Sequence, residues 1–386
     1  MDYEKLIQEH GTPTYLYDIE TLINRVNYLK SKFDDEIHMV YAVKANTFIA
    51  KELEQDVERY EICSPGEFRI CNNLSIDRKK MVISGVYKDY ETIENMISSY
   101  DDIGKYTIES VSQYELLKEL TRKYERHIHI LIRLTSGNQF GVNEEEFLTI
   151  LKDKNEFIMV DGIEYFSGTQ KHSIKKINRE VDYLVEFISK LESSLGISLK
   201  EVEFGPGLPV FYFQDDEFDE EEFLTEVNLA LRKMKGKVIS LEIGRSIAAS
   251  CGTYLTKVVD MKSNKNGNFT LVDGGIHQLV YYGQTMAMRI PFFDVMPKRD
   301  RELNTYNLYG SLCTINDILV KNITVPKLEI GDVFLFKNVG AYSSTEGISL
   351  FLSRDLPKVL ICSRDKKISV VRDRIKTSEL NFPNYQ

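Results

Sequence analysis

Residues 37–46 read Ile37-His38-Met39-Val40-Tyr41-Ala42-Val43-Lys44-Ala45-Asn46. The β-branched and aromatic residues of 37–43 predict a strand, and the strand stops at a lysine. Stretches with helical spacing flank it at 20–33 and 47–56. Moving outward, the same strand-then-helix unit recurs. Further strands are expected at 59–63, 80–84, 104–109, 127–134, 160–166, 201–204 and 237–242. Helical stretches at 66–73, 89–99, 111–124, 174–195 and 219–234 lie among them. Alternating βα units make a parallel sheet. Eight of them over about 220 residues close into a (β/α)8 barrel of TIM type better than they form an open sheet. A doubly wound sheet is the runner-up, but the Gly-x-Gly-x-x-Gly that should follow its first strand is missing.

After about residue 245 the texture changes. Runs at 253–260, 268–273, 318–325, 333–336 and 358–371 read as strands separated by turns such as Asn264-Lys265-Asn266-Gly267. The expected fold class is therefore α/β: a barrel over 20–247 and an all-β domain over 248–386. Residues 1–19 belong with the second domain, because the extended piece Thr12–Tyr17 can join its sheet.

The chain has 386 residues, too long for one ordinary small domain. Hydrophobic residues at 42% and charged residues at 28% fit a soluble protein with a large core. No apolar run reaches the roughly 18 residues a membrane span needs. Met1-Asp2-Tyr3-Glu4-Lys5 lacks the apolar stretch of a secretory signal. A net charge of -10 argues against a general nucleic-acid binder. The five cysteines are too scattered for a disulfide framework, and the six histidines show no zinc-like spacing, so no metal is expected. A reducing cytoplasm with free thiols is the expected setting.

In such a barrel the strand ends and the loops after them build the site. The first strand ends in Lys44-Ala45-Asn46, the sixth in Phe166-Ser167-Gly168-Thr169, the seventh in Gly205-Pro206-Gly207, and the eighth in Glu242-Ile243-Gly244-Arg245-Ser246. Arg133 stands on the fifth. A desolvated lysine can act as a nucleophile or Schiff-base former, although an isolated lysine just past a strand is more often a surface residue. Gly205-Pro206-Gly207 alone is only a turn. Beside Gly244-Arg245-Ser246 it becomes a candidate phosphate cradle, with backbone N–H groups for the anion and a fixed charge from Arg245. Glu242 sits in an apolar run, where a carboxylate is unfavourable without a partner. That partner is either Lys44 or an arginine, or a protonated heterocyclic nitrogen. Lysine, cradle and carboxylate at one mouth match the needs of pyridoxal 5'-phosphate.

These residues, in this order, resemble the fold-type III pyridoxal-phosphate decarboxylases, the group of diaminopimelate and ornithine decarboxylases. Tyr41-Ala42-Val43-Lys44-Ala45-Asn46 resembles their cofactor-lysine motif. Glu242-Ile243-Gly244-Arg245 is similar to their Glu-Pro-Gly-Arg. Gly205-Pro206-Gly207-Leu208 resembles their phosphate loop. Gly310-Ser311-Leu312-Cys313-Thr314-Ile315-Asn316-Asp317 is similar to their Cys-Glu-Ser-x-Asp segment, and Val339-Gly340-Ala341-Tyr342 resembles their Gly-Ala-Tyr. The resemblance implies the two-domain architecture of alanine racemase. It also implies that Lys44 would hold the cofactor as an imine and Glu242 would keep its ring nitrogen protonated. Gly207, Arg245 and Tyr342 would hold the phosphate. Arg133, Phe166, Ser167, Gly168, Gly205 and Gly244 would complete the cofactor site. Cys313 would reach in from a second subunit and return a proton to the substrate carbon, which makes an obligate homodimer with shared sites. Against this stand the ordinary fates of such residues, an inert thiol for Cys313 and a core aromatic for Tyr342.

The departures bear on substrate. The cofactor-stacking histidine of the sixth strand reads as Phe166, and the glutamate after the catalytic cysteine reads as Thr314. The arginine that grips a distal carboxylate would fall near Tyr281. The acidic residue that reads a distal amine would fall within Gly274-Gly275-Ile276-His277-Gln278. Asp273 belongs instead to the strand-end turn. Tyr281, Thr314 and Asp317 remain as candidate substrate residues, with Tyr282 and Met286 lining a less polar mouth or serving as interface packing. This pattern is similar to the branch acting on amino acids tethered to a carrier protein. The expected reaction is decarboxylation of such an aminoacyl group, or of another biosynthetic intermediate, rather than of free diaminopimelate. The alternatives are a diaminopimelate decarboxylase of lysine biosynthesis, an amino-acid racemase, and a non-catalytic regulator. Glu242 speaks against the racemase, and the presence of both Lys44 and Cys313 against the regulator.

Overall fold

The computed structural model describes residues 1–153 and 155–384. After β1 (Thr14–Asp18) come eight parallel strands. They are β2 (Ile37–Ala42), β3 (Arg59–Ile62), β4 (Met81–Ile83), β5 (Lys105–Ile108), β6 (Ile128–Arg133), β7 (Ile158–Phe166), β8 (Glu201–Gly205) and β9 (Val238–Ile243). Each pairs with the next, and β2 pairs with β9 in the register Val40 to Glu242, closing a barrel. Helices form where caps and apolar stripes coincide. Before α1 (Tyr3–His10) Asp2 accepts from Lys5 N. α2 (Ile19–Lys30) leads to the first barrel strand. α3 (Pro65–Asn73) starts on the Ser64 cap with Pro65 in its first turn. α4 (Tyr90–Ser99) and α5 (Val111–Tyr124) begin on Asp89 and Ser110. α6 (Glu144–Lys152) has a full capping box from Asn143 and Glu146. α7 (Ile174–Leu195) buries Ile177, Val181, Leu184, Ile188 and Leu191 on one stripe and ends on left-handed Gly196. α8 (Glu220–Leu231) follows β8. Among the described residues no helix is long and apolar enough to cross a membrane.

One helical expectation fails. Residues 47–56 form no α-helix but two single 3-10 turns, Thr47–Ile49 and Lys51–Leu53, after a third at Val43–Ala45. Asn46, extended at φ -168°, caps the turn at Thr47–Ile49 by accepting from Phe48 N, but the run beyond it stays in separate 3-10 turns.

The sheet region is built from β1 and from β10 (Gly252–Asn264), β11 (Gly267–Val272), β12 (Phe293–Met296), β13 (Leu303–Tyr309), β14 (Ile318–Pro326), β15 (Val333–Lys337), β16 (Lys358–Cys362) and β17 (Ile368–Arg372). Its main path runs β14-β13-β11-β10-β1-β16-β17, and β15 joins β10 to β12. The N-terminal piece joins the sheet as expected: β1 pairs antiparallel with β10 and parallel with β16. The single run 358–371 is a hairpin, β16 and β17, and β12 and β13 were not anticipated. The observed class is an α/β barrel with a second, mostly-sheet domain. By contacts the chain divides into Val26–Pro209 with Phe218–Ile247, and Met1–Arg25 with Val210–Glu217 and everything from Ala248 onward. Val210–Glu217 follows the sheet unit because Asn338 Nδ2 donates to Phe211 O at 2.7 Å and Arg289 pairs with Asp215 and Asp216.

The barrel lumen is ionic rather than filled with layers of branched aliphatics. Arg59 on β3 pairs with Glu201 on β8, and Lys105 on β5 pairs with both Asp161 and Glu201. Those strands are not neighbours, so the pairs cross the lumen. His129 Nδ1 lies 3.1 Å from Asp161. Two residues on from Arg59 and Glu201, the alternation of faces turns Glu61 on β3 and Glu203 on β8 inward. On β7 the pairing with β6 slips at Asp161, so Glu164, three residues on, shares the inner face with Glu242 on β9, beside Glu109 just beyond β5 and Arg133 on β6.

Candidate active site

Lys44 leaves β2 in the first 3-10 turn, and its side chain remains about one-third exposed. Its ammonium donates to Glu61, to Glu242 Oε1 at 3.0 Å and to Cys63 Sγ at 3.6 Å. Glu61, Glu164 and Glu242 are buried, with carboxylate oxygens all within 4.8 Å of one another. Such a trio has donors for a metal ion, but the cation here is the lysine itself. Arg133 donates to Glu109 Oε2 at 3.1 Å and brings Nε to 3.4 Å from Glu164. Neither Glu164 oxygen has a hydrogen-bond partner, although the residue is only 1% exposed. Burial first, then the charge of Glu61, pushes Glu242 up to about 7 against the pull of Lys44. Burial also raises Glu164 to about 7, with Arg133 opposing and Glu242 and Glu109 adding. Carboxylic acids are held near neutrality because these charges leave water without enough cations to pair them.

Glu164 carries a stability prediction. Its native proton affinity exceeds the ordinary value of 4.5, so the folded protein binds more protons than the unfolded chain between about 4.5 and about 7. Stability in the absence of cofactor should therefore fall as pH rises through that window. Glu164→Gln should be more stable than the parent at pH 8 by on the order of 2 kcal/mol, with the gain vanishing below about pH 4.5. Denaturant titrations at pH 4.5 and 8 check this; an equal gain at both would refute it.

The cradle's glycines are closely packed, leaving no room for a Cβ at Gly205 or Gly207. A Cβ on Gly205 would lie 2.0 Å from Phe166 Cδ2, and one on Gly207, at φ +61°, would lie 2.2 Å from Gly168 O. Gly244 is packed less tightly, and a Cβ there would lie 3.0 Å from Ala45 Cβ and 3.2 Å from Ala42 Cβ. That contact lets the loop after β9 seat against the Lys44 turn. Arg245 is buried, and its Nε donates to Thr169 Oγ1 at 3.3 Å. Phe166 lies on the inner face of β7 with its ring against Gly205. Ser167, expected to complete the cofactor site, commits its hydroxyl to Glu180 Oε1 at 2.5 Å.

In the sheet unit, Cys313 is exposed in the turn before β14. Tyr342 is half-buried and left-handed at φ +63°, which for a tyrosine marks a constrained backbone. Asp317 is no substrate reader. One oxygen accepts Ile276 N at 2.8 Å and the other Leu312 N at 2.7 Å, so it fastens the Cys313 turn from beneath. Thr314 is half-buried and caps the same turn through Asn316 N. Tyr281 is also corrected: it is buried, its hydroxyl donates to Lys337 O at 2.8 Å and its ring packs on Tyr212 and Phe213. Asp273 stays in the strand-end turn, bonded by Thr12, Thr256 and Lys257 N.

Sequence reasoning missed Glu61, Glu164, Cys63 and Lys88. Burial lowers Lys88 to about 8 against the charges of Glu109 and Glu164, and its ammonium donates to Gly85 O at 2.9 Å. The signal for the carboxylates was present: Gly162-Ile163-Glu164-Tyr165 places an acid in an apolar run just as 238–243 does.

A lysine between buried carboxylates and a glycine-walled anion cradle fit pyridoxal phosphate, and with a second, mostly-sheet domain they define a fold-type III enzyme of that cofactor. The sequence matches the family described as "Pyridoxal-dependent decarboxylase, C-terminal sheet domain" over residues 14–340. The chain belongs to that family: it is a pyridoxal-phosphate-dependent carboxy-lyase acting on an amino acid. It is 28% identical to a diaminopimelate decarboxylase of Helicobacter pylori, over 98% of this chain and 97% of the relative. It is 26% identical to the L-glutamyl-[BtrI acyl-carrier protein] decarboxylase of Niallia circulans, over 95% and 92%. A crystal structure of the Helicobacter pylori diaminopimelate decarboxylase complexed with L-lysine superposes with a TM-score of 0.85 at 26% identity, covering 98% of both chains.

Proposed function

We propose that the substrate is an amino acid whose distal end needs no charged partner, with an aminoacyl group on a carrier protein fitting best. The observation that carries this is the state of the positions expected to read a charged tail. Asp273 and Asp317 are committed to the backbone, Tyr281 is committed to Lys337 O, and 274–278 holds no acid or arginine. A cavity of about 340 Å³ in the sheet unit is lined by Leu279, Val280, Met286 and Ile348, with Gln284 and Asn316 as amides and Glu346 as its one charged wall residue. Such a wall suits a largely neutral, amide-bearing arm and would leave a distal carboxylate unpaired. Free diaminopimelate is the second reading, favoured by the full-length likeness to the Helicobacter pylori enzyme. Carbon dioxide release from free diaminopimelate, measured beside release from an aminoacyl-carrier protein, separates the two. Efficient turnover of the free amino acid would overturn the first.

Bound pyridoxal phosphate supplies an aldehyde for amines and an electron sink for the bond to the departing carboxylate. Lys44 must shed a proton before its nitrogen can react, and Glu61, already bonded to it, is placed to take that proton. Glu242 Oε1 is a buried acceptor for a protonated ring nitrogen. Gly205, Gly207, Arg245 and Tyr342 would hold the phosphate, with Gly168 keeping the neighbouring loop close. The Cys313 thiol would deliver a proton to the substrate carbon from a partner subunit. Large exposed apolar groups support that homodimer: Ile315 is 87% and Met288 77% exposed, and Phe351 and Leu352 are also uncovered in the sheet unit. Ile315→Asp should give monomers by sedimentation and lower kcat by at least about tenfold, since the shared site would be incomplete. A fully active monomer would refute it. The free cysteines support a reducing, cytoplasmic setting.

A further inference from the structure

We infer that Lys171 and Glu180 form a buried latch that shapes the phosphate cradle, making Lys171 a positioning residue for the phosphate of the cofactor. The inference rests on the assignment of Gly205, Gly207 and Arg245 to the phosphate. Lys171 lies in the loop between β7 and α7, with its side chain only 2% exposed. Its ammonium donates to Glu180 Oε2 at 2.8 Å and to Gly205 O at 3.1 Å. Its backbone N donates to Gly207 O at 2.9 Å. One residue thus ties its loop to both glycines that flank Pro206. Glu180, on α7, is buried too, and its other oxygen accepts Ser167 Oγ. The two ends of the segment Ser167–Lys171 are therefore held by one carboxylate.

Between those ends the backbone is tightly turned. Gly168 is at φ +136° and Gln170 at φ +51°. Gly168 O and Lys171 Cε stand 2.2 Å and 3.2 Å from where a Gly207 Cβ would be, so the loop closes onto the glycines. Thr169, in the middle of the clasp, meets Arg245 Nε through its hydroxyl. The clasp thereby also orients the cradle's cation.

A buried ion pair is a poor device for stability alone, since an apolar pair of similar volume generally does as well. Burial in fact lowers the proton affinity of Lys171, with Glu180 opposing. What an apolar side chain could not do is hold the Gly205 carbonyl. A carbonyl free to rotate toward an anion repels it. Gly205 O is followed by Pro206, which has no N–H, so the side chain's role there is to hold the carbonyl alone. The main-chain bond from Lys171 N to Gly207 O separately fixes the Leu208 N–H on the opposite side of its planar peptide.

The test compares affinities of the full-length apoprotein for pyridoxal phosphate and for pyridoxal, which lacks the phosphate, read from the absorbance of the bound cofactor. The parent should prefer pyridoxal phosphate strongly, and Arg245→Ala should erode that preference. Lys171→Met should weaken pyridoxal phosphate by roughly tenfold or more, as loss of a residue supporting a direct ligand does, and leave pyridoxal unchanged. Should Lys171→Met fold poorly, the double variant Lys171→Met/Glu180→Leu removes both charges; it should fold and still show the weakened preference. An undiminished preference in either variant, or equal losses for both ligands, would overturn the latch. A parent without any preference would overturn the phosphate assignment itself, and Arg245→Ala would then change nothing.

Discussion

Lys44→Ala should erase the absorbance band of the lysine-bound cofactor and lower kcat/KM by about 10⁴-fold or more. The size follows from position. Lys44 sits where the first barrel strand ends, its ammonium held by Glu61 and by Glu242 at 3.0 Å. Two other amines stand near this end of the barrel, and neither can take over. Lys171 is latched to Glu180 and Gly205 O. Lys88, lowered to about 8, has the reactivity to compete, but its ammonium reaches Gly85 O and belongs to a different loop. Spectra of Lys44→Ala beside Lys88→Ala therefore decide the matter. A band that survives the first and disappears in the second would place the cofactor on the wrong lysine for everything proposed above.

The second large effect belongs to Glu242→Gln. The amide matches the carboxylate in shape but cannot carry its charge. Glu242 is buried and held up near 7, so at neutral pH it stands poised between a charge and a proton donor. That is the condition under which it can stabilise a ring nitrogen protonated by the reaction's demand. Removing a preorganised electrostatic partner of this kind lowers kcat by roughly 10²–10³-fold. Cofactor affinity should change far less, because the proposed phosphate ligands, Gly205, Gly207 and Arg245, lie elsewhere. Stopped-flow turnover with a separate cofactor titration distinguishes the two. Unchanged kcat would show that Glu242 only neutralises Lys44.

Much of this site was legible because its residues end strands. Lys44, Gly205, Gly207, Glu242 and Arg245 follow apolar runs, and the loops after barrel strands converge wherever a barrel closes. The sequence shows no acid or arginine over 274–278, which is what the proposed neutral-tailed substrate rests on. What was misread were residues whose partners are distant in sequence. Asp317 read as a substrate contact, yet Ile276 N and Leu312 N hold both its oxygens. Ser167 read as part of the cofactor site, yet Glu180, nearly two helical turns inside α7, takes its hydroxyl.

The sequence alone determined the order of the barrel strands, since local periodicity and turn chemistry act over a few residues. It also determined the chemical identity of the strand ends. Which face of each strand turns inward was decided only by closure. Arg59-x-Glu61, Lys105-x-Thr107-x-Glu109 and Glu201-x-Glu203 alternate like strands with one wet face. Closing the barrel puts the apolar faces of these strands against the helices and their charged faces into the lumen. There the carboxylates crowd around too few cations, and low dielectric converts spacing in sequence into shared protons.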